Sequence, residues 1–111
     1  MDILINADGL TLTDDLRATI EEKVGRVEQF APRAIRARVY VRKLSAHHSQ
    51  GQYAVHVLCE VPGRDCSAEE RGPDPLSALD VVAQKIEHQL TKRKTDRLAR
   101  RHRLARSRKK S

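Results

Sequence analysis

Apolar residues recur along this chain at two spacings, every second position or every third and fourth, and the alternation between them predicts six elements. Residues 2 to 7, Asp-Ile-Leu-Ile-Asn-Ala, are a short strand ended by a turn at Asp8-Gly9. Thr13 then offers a side-chain oxygen as N-cap, with Asp14 and Asp15 placing negative charge against the free amide hydrogens of a first turn. Leu16, Ile20, Val24, Val27 and then Phe30 or Ala31 give the helix that follows one apolar face, and Pro32 closes it. Residues 34 to 43 alternate: Ile35, Ala37, Val39 and Val41 point one way, and Arg36, Arg38, Tyr40 and Arg42 the other. A polar loop from Ser45 to Gly51 leads into a third strand, with Tyr53, Val55, Val57, Cys59 and Val61 against Ala54, His56, Leu58 and Glu60. Pro62-Gly63 reverses the chain into a weaker strand, Arg64 to Arg71, with Cys66 and Ala68 inward.

The last element starts at Asp74, which can accept the free amides of a first turn, and at Pro75, whose fixed φ suits the first helical position. Leu76, Leu79, Val82, Ala83, Ile86 and Leu90 form its apolar stripe. Beyond Leu90 the stripe thins to Leu98, Leu104 and Ala105 among many cations, so the first half is expected to dock and the second to project as helix or fraying arm. If helical to about Arg108 the element reaches roughly 50 Å. The order βαβββα, with a first connection long enough for a crossover between parallel strands, predicts an α+β fold. Its four-stranded mixed sheet carries two helices packed on one face. The opposite face stays open and bears Arg36, Arg38 and Arg42, which acids on neighbouring strands would balance.

Charge changes the picture most at the C-terminal end. From Lys85 to Ser111 there are 12 Lys or Arg against two acids, whereas residues 1 to 84 hold 10 against 13, so the formal +7 is a mildly acidic body joined to a strongly basic segment. A clustered positive field acts on a polyanion far more strongly than the mean charge does. The chain is expected to divide into a folded domain over residues 1–95 and a basic helical extension or flexible tail over 96–111.

Candidate chemistry is sparse. There is no phosphate-cradling glycine motif and no HExxH, and His47-His48 sits in a polar loop without further ligands, so no catalytic residue, metal or cofactor is expected. No run approaches the roughly 20 apolar residues of a membrane span, the N-terminus has no secretion signal, and cytoplasm is the expected location. Cys59 and Cys66, close across a hairpin, are expected to be reduced structural thiols. The basic segment points to RNA, because Lys and Arg suit phosphates while no helix-turn-helix or zinc-finger spacing reads a DNA groove. The lack of aromatic residues on it argues against a base-stacking platform.

Several segments follow one another in a recognisable order: Thr13-Asp14-Asp15-Leu16-Arg17, Glu21-Glu22-Lys23-Val24, Val27-Glu28-Gln29-Phe30, Val61-Pro62-Gly63, Leu79-Asp80 and Lys85-Ile86-Glu87-His88-Gln89-Leu90-Thr91-Lys92-Arg93-Lys94. With them the chain, over roughly residues 2 to 97, resembles the ribosome hibernation promoting factor family, also described as ribosome-associated inhibitor A or sigma-54 modulation proteins. The resemblance implies binding in the groove of the small ribosomal subunit, over the messenger channel and transfer-RNA sites, with translation silenced by occupancy. It implies ribosomal-RNA contacts at Lys23, Arg26, Lys85, Lys92, Arg93 and Lys94, more loosely at Arg36 and Arg38. The charge of the arm adds Arg97, Arg100 and Arg101. Family members often carry Met-Tyr near Pro75-Leu76 and His at position 93, and long members have a further C-terminal domain. A short form, monomeric off the ribosome, is therefore expected here. A generic structured-RNA-binding module and a protein-interaction adaptor in transcription are the rival readings.

Overall fold

The computed structural model describes residues 1–44 and 52–109, with side chains as far as Arg101. The His47-His48 pair lies outside the described residues. The elements are β1 (Asp2–Asp8), α1 (Asp14–Gly25), a 3-10 turn (Arg26–Gln29), β2 (Arg36–Lys43), β3 (Tyr53–Glu60), β4 (Cys66–Gly72) and α2 (Pro75–Lys109). The sheet runs β1-β2-β3-β4, with β1 parallel to β2 and the other pairs antiparallel, so the predicted βαβββα order and mixed sheet are both found. β1 and β4 are its edges.

Both helix starts follow from their capping residues. Thr13 Oγ1 accepts from the Leu16 amide at 3.2 Å. Asp74 Oδ1 accepts from the Ser77 amide and Oδ2 from the Ser77 hydroxyl, each at 2.8 Å. These bonds favour the ionised form and pull the Asp74 carboxyl below its ordinary range. The end of the first helix differs from the expectation: α-helical bonding stops at Gly25 and a 3-10 turn carries the chain to Gln29. Of the two residues offered for the end of the apolar face, Ala31 packs on the core and Phe30 is 44% exposed.

Val39, Val41, Val55, Val57 and Cys59 bury one face of the sheet under Ile20, Val24 and Val27 of the first helical segment and Leu79, Val82, Ile86 and Leu90 of α2. Ile35 shares their side in the alternating pattern but is 56% exposed. It precedes β2, at the end of the sheet, with its amide bonded to Glu60 O and its carbonyl to the Asp2 amide. The fourth strand starts at Cys66 rather than Arg64, because the turn around Pro62-Gly63 takes up two more residues. Gly63 has φ +95°, a conformation open to glycine at little cost.

Cys59 and Cys66 are register partners, both buried and both free thiols. Burial first, and then the neighbouring Cys66, push the Cys59 thiol up to about 11; such thiols are poor nucleophiles at neutral pH. Gly72 brings the end of β4 against α2: a Cβ there would lie 3.3 Å from Ala78 Cβ. Because Ile86 is fully buried at the centre of the α2 stripe, Ile86→Ala is expected to lower unfolding free energy by about 2–5 kcal/mol, read from urea denaturation. A loss below 1 kcal/mol would mean that α2 is not a principal core element.

Candidate nucleic-acid interface

Three side chains of α2 at successive four-residue steps bind the edge strand β4. Lys85 Nζ reaches Glu70 Oε2 at 2.8 Å and Glu69 O at 3.5 Å, Gln89 Nε2 donates to Ser67 O at 2.8 Å, and Arg93 donates to Arg64 O and, at 2.9 Å, to Asp65 O. The match is geometric. Four helical residues rise about 6 Å and two strand residues about 6.7 Å, so every fourth residue of a helix lying antiparallel to the strand meets every second carbonyl. The Lys85 hydrogen bond, followed by one from the Arg71 amide, lowers the Glu70 carboxyl from its ordinary range.

This seam gives two of the candidate cations structural partners. Lys85 is paired with Glu70, and the Arg93 guanidinium places one donor from each terminal nitrogen on two peptide carbonyls of the β3–β4 turn. Lys23 Nζ lies 2.5 Å from Asp80 Oδ1 and so ties α1 to α2. Arg26 makes an exposed pair with Glu22, one helical turn back, at 3.3 Å. On the open face of the sheet, Arg36 Nε is 3.0 Å from Glu60 Oε2, and an Arg38 terminal nitrogen is 4.0 Å from Oε1. Neither Arg36 Nε nor Arg38 Nε has an aligned acceptor, so Glu60 balances the two guanidinium groups by charge and not by a hydrogen bond from these atoms.

The remaining candidates gather on the projecting half of α2. Lys92, Lys94, Arg97, Arg100 and Arg101 are all exposed, and none belongs to an ion pair among the described residues. Helix α2 carries them away from the body, giving a molecule 65 Å in its longest dimension against 29 and 16 Å in the others. Arg36 and Arg38 are on the sheet face opposite the helices and do not join this group. Sequence reasoning passed over Arg64. The Pro62-Gly63 turn placed it at a hairpin tip, but only the α2 register shows that this tip meets the root of the arm. Among the described residues there is no cluster of His, Cys, Asp and Glu suited to a metal, and no helix is long and apolar enough to cross a membrane.

Arg93→Ala is expected to leave the core intact while raising amide hydrogen exchange in residues 63–67 severalfold, because two carbonyl anchors of the turn are lost. Unchanged exchange there would show that the turn holds itself.

Comparison with known proteins agrees with this architecture. The family described as Sigma 54 modulation protein / S30EA ribosomal protein matches residues 3–98. A curated relative from Staphylococcus aureus (strain COL), named ribosome hibernation promotion factor, is 34% identical over 94 residues, covering 82% of this chain and 47% of the relative. The chain thus spans about half the length of that relative. Among solved structures, the N-terminal domain of Protein Y from Thermus thermophilus matches with TM-score 0.70 at 22% identity, over 83% of this chain and 98% of that one. A ribosomal subunit interface protein from Coxiella burnetii matches with TM-score 0.72 at 21% identity, over 86% and 99%. The two structures share the fold, and the match over residues 3–98 makes the chain a member of the sigma 54 modulation protein / S30EA ribosomal protein family.

Proposed function

We propose that this protein binds the small ribosomal subunit through its ribosomal RNA, occupies the messenger and transfer-RNA channel, and inhibits translation in idle or stressed cells. The observation that carries this reading is the set of five exposed cations, Lys92, Lys94, Arg97, Arg100 and Arg101, on a helix rooted in a folded body. Membership of the family, and the name of the Staphylococcus aureus relative, support the ribosome as the RNA-bearing partner. Residues 1–95 form the domain that sets the position of the helix, and residues 96–111 extend its basic surface. The free protein is a cytoplasmic monomer with no catalytic step, acting by occupancy.

Within this reading the candidate cations have different duties. Lys92, Lys94, Arg97, Arg100 and Arg101 offer unused donors to phosphates. Lys23, Lys85 and Arg93 hold the helices and the turn in place, and Lys23 and Lys85 add to the local positive field from within their pairs. Arg26, Arg36 and Arg38 are partly neutralised by Glu22 and Glu60 and contribute at the margin.

Sedimentation with purified small subunits is the test. The wild-type chain is expected to cofractionate at low salt and to be released as salt rises. Changing Lys92, Lys94, Arg97, Arg100 and Arg101 together to Gln should abolish cofractionation with the fold preserved. Deleting residues 99–111 should leave the fold intact and flatten the salt dependence, since each lost phosphate contact removes about 0.9 from the logarithmic slope on duplex DNA and about 0.7 on single strands. Migration as free protein at low salt, or equal affinity for unrelated structured RNA, would overturn the ribosomal assignment.

A further inference from the structure

The buried stripe of α2 and the cations of its projecting half share one helical phase. Leu79, Val82, Ile86 and Leu90 are buried at spacings of three and four, and the same spacing continues through Arg93, Arg97 and then Arg100 or Arg101. At about 100° per residue, Arg97 returns to within about 20° of the direction of Ile86, Arg100 to about 40° and Arg101 to about 60°. The face that meets the sheet before Leu90 is therefore the face that carries guanidinium groups after it. The sheet stops at the same level: β3 ends at Glu60, β4 begins at Cys66, and Arg93 grips the turn between them. From Arg93 to Lys109 the helix continues for about 24 Å with no strand beneath it.

The overhang and the end of the sheet bound a step-shaped recess. Its long wall is the arginine stripe, and its short wall is the hairpin tip, where Arg64 is exposed and free of any ion pair among the described residues. Asp65 is the one acid on that tip. We propose that this recess is a binding site for an RNA double helix, with Arg97, Arg100 and Arg101 holding phosphates from the arm and Arg64 holding them from the hairpin tip.

The proposal rests on the RNA-binding reading above and gives it a geometry. Guanidinium groups form bidentate bonds to phosphate, and walls on two sides suit a duplex recognised by shape and backbone. No aromatic side chain occurs on α2 between Leu90 and Arg101 on which an unpaired base would stack. Arg93 is the positioning residue. With its donors committed to the Arg64 and Asp65 carbonyls, it fixes the short wall against the root of the long one.

The decisive variant keeps every cation and changes only their direction. Inserting two alanines after Thr95 turns the rest of the arm by about 200°, which leaves Arg97, Arg100 and Arg101 each about 100° or more from the Ile86 direction and so away from the recess. Binding to a 20-base-pair RNA duplex of mixed sequence and to small ribosomal subunits is measured for this variant, for Arg64→Gln, for Arg97→Gln and for Asp65→Asn. Arg17→Gln, on the exposed side of α1, is the control, and thermal melting checks that each variant folds.

The insertion is expected to weaken duplex binding on the order of tenfold, and Arg64→Gln and Arg97→Gln severalfold each, with the salt slope falling by roughly one per residue. Asp65→Asn should tighten binding, and Arg64→Gln should cost nothing further in the insertion background. If the insertion variant binds the duplex as the wild type does, or if a 20-nucleotide single strand is preferred, the recess is not the site and the arm acts as a diffuse cationic rod. Loss of subunit binding by the wild type alone, with phase-sensitive duplex binding retained, removes the ribosomal assignment and leaves the recess standing.

Discussion

The bonds from Lys85 and Gln89 to β4 and from Arg93 to the turn before it are the constraint on which the remaining geometry depends. An edge strand presents backbone acceptors that water, another chain or side chains must satisfy. Here the donors sit one helical turn apart and meet carbonyls two residues apart, which fixes both the rotation and the axial position of α2. Rotation decides which residues are buried beneath the helix. Axial position decides where the helix leaves the body, and hence which cations lie beyond it. Directional bonds to successive carbonyls define that position more sharply than apolar contact alone.

Most of the fold was legible because its signals are local. Period-2 alternation identified β2 and β3, three-and-four spacing identified both helices, and Thr13 and Asp74 marked their starts. The exceptions sit at the ends of elements. Ile35 fits the alternation, but it precedes the first residue of β2, at the end of the sheet, and is 56% exposed. At the end of the helical stripe, where Phe30 and Ala31 are both candidates, Ala31 packs on the core and Phe30 is exposed. Hydrophobic periodicity marks a face; it does not say where along that face burial ends.

The candidate surface was legible as charge and not as geometry. Lys85 and Arg93 count equally with Lys92 and Arg97 in a sequence, yet the first two have partners on β4 and on the turn before it, and the other two have no ion-pair partner among the described residues. The partners come from residues 15 to 29 positions earlier in the chain, so their distance could not be read from spacing. Arg64 was missed for the same reason: its significance comes from the helix that crosses behind the turn.

The order of the sheet leaves β1 at the edge opposite α2, where no such seam protects it. That strand begins and ends on a carboxylate, Asp2 and Asp8, placed symmetrically about Ile5. A second copy adding antiparallel and centred on Ile5 would set Asp2 opposite Asp8 twice over, and an in-register parallel addition would set each aspartate against itself. Like charges directly opposite one another destabilise a ladder. The molecule therefore treats its two margins differently: side-chain hydrogen bonds to Ser67 O and Glu69 O on one, and on the other a symmetric pair of aspartates that an added copy of the same strand would have to meet.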